Sequence, residues 1–125
     1  MTVKECYSQM GGDYNNVLSR FYDEAMIKRL LGRFIDDTSF RALEQAMTEG
    51  NMQAAFNAAH TLRGVCQSLS FTQLCGTLNP ITEALRGGNI AAAAADMDKA
   101  KREYDVTLSA IRACMENFVS KQDIN

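Results

Sequence analysis

The sequence predicts an all-α protein, an antiparallel up-and-down four-helix bundle with short extra N-terminal helices. Its 125 residues include one proline and no tryptophan and are rich in Ala, Leu, Met, Glu, Lys and Arg, a composition typical of helical proteins. Apolar residues recur at steps of three and four along most of the chain, as on one face of a helix. A chain of this length supports a single hydrophobic core and hence one domain.

Three predicted turns separate the helical segments, at 11–13, 50–51 and 87–89. Each contains glycine followed by Asp or Asn, which ends one helix in a left-handed conformation and caps the start of the next. On either side of the first turn, the pattern predicts short helices at about 2–9 and 14–20.

The turns also define the expected domain organisation. We expect short helices within 1–22 to pack on a bundle formed by 23–119, followed by a tail at 120–125. The bundle contains four long elements, at 23–48, 51–69, 72–86 and 90–118. Because the connections between them are short, consecutive elements are expected to lie antiparallel.

The first long element, 23–48, contains two apolar segments that meet near two aspartates. Carboxylates are unfavourable at a helix C-terminus because of the helix dipole, so Asp37 or Thr38 is predicted to cap a second helix. The last long element, 90–118, is predicted as one helix. Its apolar stripe, in heptad-like steps, comprises Met97, Tyr104, Leu108, Ile111, Met115 and Phe118.

Pro80 lies in the middle of the element 72–86. Proline lacks an N–H and its ring clashes with the carbonyl group four residues earlier. We therefore expect a kink or break between Gly76 and Asn79, or a new helical segment that begins at Asn79-Pro80.

The chain's single histidine, His60, lies beside the apolar face of the element 51–69. That face is a stripe of Met52, Ala55, Ala59, Leu62, Cys66 and Leu69. Because His60 is off the stripe, we expect it half exposed at the edge of the bundle. The residues three, four or seven positions away flank the imidazole, and they are Phe56, Arg63, Gly64 and Gln67.

Gly64 stands one helical turn beyond His60. Glycine in a helix interior costs about 1 kcal/mol relative to alanine, so its presence requires a packing or functional reason. The missing Cβ opens space beside the imidazole, which a reacting group could use.

The stretch Ala59–Ser70 resembles the signature of histidine-containing phosphotransfer (Hpt) domains. In that signature, an aliphatic residue, a basic residue and glycine follow the phosphoacceptor histidine at two, three and four positions. Here they are Leu62, Arg63 and Gly64, and the resemblance covers about residues 51–88. It implies a four-helix bundle that acts as a phosphohistidine carrier in a multistep phosphorelay. His60 would accept a phosphoryl group from an aspartate of one receiver domain and pass it to another.

The resemblance also implies roles for neighbouring side chains. Arg63, where the family more often has Lys, would pair with the phosphoryl oxygens, and Gln67 would hydrogen-bond the phosphoryl group or a docked partner. Many members have Glu or Gln bonded to the ring twenty-two positions beyond the histidine. Thr82 stands at that position and is the candidate that orients His60. A shift of one residue favours Glu83 instead.

Ser70 departs from the family pattern, which usually has glycine ten positions after the histidine. Serine can end a helix but resists positive φ, so the sequence leaves the geometry of the turn after Leu69 open. Ser70 is also a candidate cap of the next helix.

Histidine-kinase dimerisation helices usually place an acidic residue directly after the phosphoacceptor. Here Thr61 follows His60, and the sequence has no Gly-rich ATP-binding segment. We therefore expect a phosphotransfer intermediate without autokinase activity, and not an enzyme. Two alternatives stay open. One is an interaction-only adaptor that binds a receiver or other signalling protein without transfer, for which Ser70 is a sign of drift. The other is a helical enzyme that uses His60 and Glu83 as acid and base.

Charge and composition bound the partners and location. The net charge of −2, with no basic run, argues against nucleic acid. We expect a monomer whose partners are receiver domains of response regulators or hybrid histidine kinases. No apolar stretch approaches about 18 residues and the start lacks a signal-peptide core, so we expect no membrane segment and a cytoplasmic location. The cysteines at 6, 66, 75 and 114 lack metal-ligand spacing. We expect buried thiols, no metal and no cofactor.

Overall fold

The structure, a computed structural model, describes the backbone of residues 1–124 and the side chains of residues 1–116. Within that part of the chain there are eight helices and no strand, which confirms the all-α prediction. The helices are α1 (Val3–Met10), α2 (Tyr14–Phe21), α3 (Glu24–Ile35), α4 (Ser39–Glu49), α5 (Met52–Ser68), α6 (Thr72–Arg86), α7 (Ile90–Ala95) and α8 (Met97–Ile124). The Phe118 side chain and the side chains of the predicted tail, 120–125, lie outside the part of the chain that the structure describes.

The helices pack as a bundle in which α5 lies between α4 and α6. Helix α6 also packs against α7 and α8, and α8 closes the bundle against α3. The two short N-terminal helices lie on this bundle, α1 against α8 and α2 against α3. The core comprises the apolar faces of these helices, so α5 is buried along one face and open to solvent along the other.

The predicted glycine turns are confirmed, since Gly11, Gly50 and Gly88 have φ values of 70°, 69° and 80°. The side chains of Asp13, Asn51 and Asn89 each accept a hydrogen bond from a backbone N–H in the following helix. Between α3 and α4, Thr38 occupies the N-cap position without a side-chain hydrogen bond. Asp37 supplies it instead, because its Oδ1 accepts from the Ser39 N–H at 2.8 Å.

The expected break at Pro80 is wrong, because α6 continues through this residue. Pro80 and Gly76 both lie on the exposed face of α6. Water can therefore solvate the Gly76 carbonyl group that the proline leaves without a donor, and the helix tolerates the loss.

The prediction of one helix over 90–118 is also wrong, because the helix is interrupted at Asp96, with φ −101° and ψ 0°. Aspartate competes for backbone hydrogen bonds and favours helix ends over helix interiors. The short α7 packs against α6, whereas α8 also packs against α1 and α3. The interruption separates these two sets of contacts.

A chain of aromatic contacts crosses the core and reaches the turn between α5 and α6. Phe71, which opens this chain at the turn, lies 5.9 Å from the Tyr7 ring and 5.0 Å from the Phe34 ring, centroid to centroid. The Tyr104 ring continues it, 6.0 Å from Phe34 and stacked on Phe40 at 4.3 Å. The turn is thereby joined to α1, α3, α4 and α8.

Ser70 adopts a φ of 58°, the left-handed conformation that serine resists. Such a conformation costs about 1–2 kcal/mol for a residue with a Cβ. The Ser70 hydroxyl offsets part of this cost by donating to Asn16 Oδ1 at 2.6 Å. Ser70 does not cap α6, because Phe71 occupies that position and makes no side-chain cap.

Residues of the N-terminal helices satisfy the carbonyl groups of this turn. The Tyr7 hydroxyl donates to the Leu69 carbonyl oxygen at 2.8 Å, and the Asp13 N–H donates to the Ser70 carbonyl oxygen at 2.9 Å. We call Tyr7, Asp13 and Asn16 the turn anchor. The sequence did not reveal this anchor, because its bonds join residues more than fifty positions apart.

Candidate functional site

His60 is exposed on the solvent face of α5, which confirms that it stands off the apolar stripe. Residues of the stripe on either side of it, Ala59 and Leu62, are completely buried. Helix α5 is anchored in the core along the stripe, so the outward direction of His60 follows from helical periodicity.

Five side chains form a closed loop of contacts that includes the imidazole, and we call it the His60 cluster. Its members are Phe56, His60 and Arg63 on α5, and Glu83 and Arg86 on α6. On one side, the Phe56 ring stacks on His60 with centroids 5.7 Å apart and an interplanar angle of 25°. The Arg86 guanidinium lies 5.0 Å from the Phe56 centroid, in cation–π range.

Charged contacts complete the loop on its other side. Glu83 Oε2 pairs with Arg86 Nε at 3.1 Å, and Glu83 Oε1 pairs with Arg63 Nη1 at 3.2 Å. The second terminal nitrogen of Arg63, Nη2, lies 3.4 Å from His60 Nδ1. Arg63 thus links the carboxylate of α6 to the imidazole of α5.

The contact between Arg63 and His60 specifies the protonation of the ring. A guanidinium group can only donate hydrogen bonds. His60 Nδ1 must therefore be the acceptor, and in the neutral ring Nε2 carries the proton.

Burial differs sharply among the charged members of the cluster. The Arg63 side chain is only 16% exposed, whereas that of Glu83 is 58% exposed. Hydrogen bonds from Arg86 and Arg63 hold the pKa of the Glu83 carboxyl below its ordinary value of 4.5. Glu83 is therefore a carboxylate at neutral pH.

Gly64 lies in open space one turn beyond His60. A Cβ built on it would meet no other atom within 4 Å, so packing does not explain the absence of a side chain. Gly64 also borders two grooves that flank α5, of about 560 and 610 Å³. The groove toward α2 and α3 contains apolar side chains such as Leu30 and Val65.

Gln67 borders the second groove, toward α6, together with Gly64 and Cys75. Burial raises the pKa of the half-buried Cys75 thiol, while Arg63 and a hydrogen bond with Gln67 act in the opposite direction. The structure therefore places Gln67 near Cys75, in the groove that Gly64 also borders. Cys6, Cys66 and Cys114 are buried thiols, as expected.

The structure does not bring Thr82 to the imidazole, and its expected role as the orienting residue is wrong. Thr82 is completely buried, and its hydroxyl donates to the Leu78 carbonyl oxygen at 2.8 Å. One residue further along α6, Glu83 points outward and reaches His60 through Arg63. Sequence reasoning missed Arg86, although its position three residues after Glu83 is a typical spacing for a helical ion pair.

The chain is similar to one known protein family. A family model described as the Hpt domain matches residues 29–120, more than half of the chain, including His60 and the helices from α4 to α7. No curated protein and no solved structure matches the chain. Among the described residues, no helix is long and apolar enough to cross a bilayer. Because the family model covers more than half of the chain, the chain belongs to the Hpt domain family.

Proposed function

We propose that this protein is a phosphohistidine carrier in a multistep phosphorelay. His60 accepts a phosphoryl group from the aspartate of one receiver domain and passes it to the aspartate of another. The observation that carries the proposal is the exposed imidazole, with bare backbone at Gly64 and the Arg63 guanidinium 3.4 Å from its Nδ1. Membership of the Hpt family supports the same conclusion.

Transfer requires little chemistry from the carrier itself. The lone pair of His60 Nε2 attacks the phosphorus atom, a P–N bond forms, and the bond between phosphorus and the aspartyl oxygen breaks. The electron pair of that bond leaves with the aspartate carboxylate. Attack uses the neutral tautomer with its proton on Nδ1, which forms once Arg63 has left Nδ1, and in that tautomer no proton has to be removed from the attacking nitrogen.

Each neighbour has a defined part in this step. Gly64 leaves room for the incoming phosphoryl group and for the receiver that carries it. Arg63 pairs with the phosphoryl oxygens, since a guanidinium binds such oxygens through parallel hydrogen bonds. Gln67 offers an uncharged amide to the phosphoryl group or to the docked receiver.

The proposal requires receiver domains of response regulators or hybrid histidine kinases as partners. It requires no autokinase activity, because the phosphoryl group arrives already activated as an aspartyl phosphate. A monomer in the cytoplasm, where it can exchange between receivers, suits this role. Ser70, the departure that suggested the adaptor alternative, adopts a positive φ, which glycine adopts readily, and this supports the carrier over the adaptor.

The test is phosphotransfer from a radiolabelled phosphorylated receiver. We expect an acid-labile, base-stable label on the wild-type protein and none on His60→Gln. Because the chain has a single histidine, the label needs no further assignment. Gln45→Ala, an exposed change on α4, serves as the control and should be labelled like the wild type. Absence of label on the wild type with several phosphorylated receivers, or label on His60→Gln, would overturn the proposal.

A further inference from the structure

We propose that Glu83 is a positioning residue that controls how Arg63 is shared between the imidazole and the phosphoryl group. This inference rests on the proposed function and adds a regulator of phosphohistidine stability to it. The observation that carries it is the two-point attachment of Arg63, through Nη1 to Glu83 and through Nη2 to His60 Nδ1.

The two attachments depend on the shape of the guanidinium group. Its terminal nitrogens are fixed in one plane and point in different directions, so one side chain can bridge a carboxylate and a ring nitrogen. A lysine ammonium, the usual residue at this position in the family, is a single point charge. Arg63 therefore couples Glu83 to His60 in a way that lysine would not reproduce.

The bridged arrangement is a resting state and not the reactive one. While Arg63 donates to Nδ1, the ring proton is on Nε2, and that nitrogen has no lone pair for attack. Attack through Nε2 requires the other neutral tautomer, with the proton on Nδ1. Arg63 must leave Nδ1 for this tautomer to form, and the incoming phosphoryl oxygens offer it stronger acceptors.

Glu83 opposes that movement. Its carboxylate holds Arg63 Nη1 at 3.2 Å and so competes with the phosphoryl oxygens for the guanidinium group. Loss of the Glu83 carboxylate frees Arg63 for the phosphoryl group and therefore favours the phosphorylated state. A carrier must also release its phosphoryl group, and Glu83 keeps the phosphohistidine from becoming too stable for onward transfer.

The first test measures the equilibrium between a phosphorylated receiver and His60. We expect Glu83→Gln to raise the equilibrium constant for loading of His60 by about two- to fivefold, the range for an exposed ion pair, and to slow onward transfer. Glu49→Gln, which removes the same charge from the exposed end of α4, should match the wild type. Wild-type loading of Glu83→Gln, with His60 still labelled, would overturn this inference and leave the proposed function intact.

A double-mutant cycle tests whether Glu83 acts through Arg63. In an Arg63→Gln background, Glu83→Gln should change loading no further. An equal effect in both backgrounds would show that the carboxylate acts on the phosphoryl group directly, which contradicts the proposal.

Nitrogen NMR of the His60 ring gives a readout independent of transfer. The wild type should show mainly the tautomer protonated on Nε2, and Glu83→Gln should shift the population toward protonation on Nδ1. An unchanged tautomer ratio would contradict the positioning role, even if no receiver phosphorylates the protein.

Discussion

The His60 cluster and the turn between α5 and α6 lie about two and a half helical turns apart, and they are held in different ways. In the cluster, the Glu83 and Arg86 side chains are more than half exposed and Arg63 is mostly buried. Both Glu83 and Arg63 divide their hydrogen bonds between two partners. At the turn, the Leu69 carbonyl oxygen accepts from the buried Tyr7 hydroxyl, and the Ser70 carbonyl oxygen accepts from the Asp13 N–H at 2.9 Å and from the Thr72 hydroxyl at 3.5 Å.

This difference distinguishes a fixed scaffold, the turn between α5 and α6, from the side chains of the His60 cluster, which can rearrange. Buried hydrogen bonds and aromatic packing fix the end of α5, because leaving a buried carbonyl group without a donor is costly. The ion pair of the exposed Glu83 and Arg86 side chains contributes little to stability and can be exchanged at small cost. The site can therefore rearrange its side chains around a phosphoryl group while α5 itself stays in place.

The largest expected effect is on the free energy of unfolding, when one aromatic residue from each region is replaced by alanine. Phe71 is 1% exposed and packs between Tyr7 and Phe34, so Phe71→Ala should lower the free energy of unfolding by about 3–5 kcal/mol. Phe56 is only partly buried beside His60, and Phe56→Ala should cost about 1 kcal/mol but slow phosphotransfer. Urea denaturation measures both losses. Similar losses for the two variants would remove the distinction between scaffold and site.

The next largest effect on stability comes from replacing one glycine in each region by alanine. A Cβ at Gly12 would lie 2.7 Å from the Tyr7 ring and 3.0 Å from the Ser70 carbonyl oxygen, so Gly12→Ala should destabilise the protein by about 1–3 kcal/mol. Gly64→Ala meets no atom and should stabilise it by about 0.5–1 kcal/mol through helix propensity.

In phosphotransfer the ranking of the two variants should be reversed, with Gly64→Ala impaired more than Gly12→Ala. Gly64→Ala should transfer more slowly than the wild type, and Gly64→Leu should lose transfer while the bundle stays folded. Thermal denaturation and receiver-dependent labelling of the same samples check the pair. Wild-type transfer by Gly64→Leu would remove the proposed reason for this glycine.

The smallest expected effect concerns the titration of Glu83. Because Arg86 and Arg63 lower its pKa in the folded protein, Glu83 stabilises the fold fully at neutral pH, above its pKa in the unfolded chain. This contribution is lost as the pH falls below 4.5 through the lowered folded pKa. Carboxyl NMR should find a midpoint below 4.5, and Arg86→Gln should raise it more than Arg63→Gln. A midpoint at the ordinary value would mean that the bridge is not formed.

Local patterns predicted most of the fold. The glycine and Asp or Asn pairs place three turns correctly, and the apolar stripe of α5 places His60 outside the core. The errors, and the turn geometry that the sequence leaves open, arise where contacts with distant residues or with solvent determine the backbone conformation. Pro80 is tolerated because it faces water, and Ser70 adopts a positive φ because Asn16, fifty-four positions away, bonds its hydroxyl.

The candidate site was predicted less completely than the fold. His60, Arg63 and Gly64 follow from spacing on one helix, but the partner on α6 depends on how that helix is rotated. One residue changes the direction of a helical side chain by about 100°, which separates the buried Thr82 from the exposed Glu83. The bridging contact of Arg63 could not be predicted, because it depends on the distance between two helices.

The turn anchor has a consequence for transplanting this domain. The segment matched by the family model begins at residue 29, after Tyr7, Asp13 and Asn16. Grafted into another protein without its first 28 residues, the segment would keep the histidine, the arginine and the glycine. It would nevertheless lose the hydroxyl and amide groups that satisfy the Leu69 and Ser70 carbonyl oxygens, so the smallest transferable unit starts before α1.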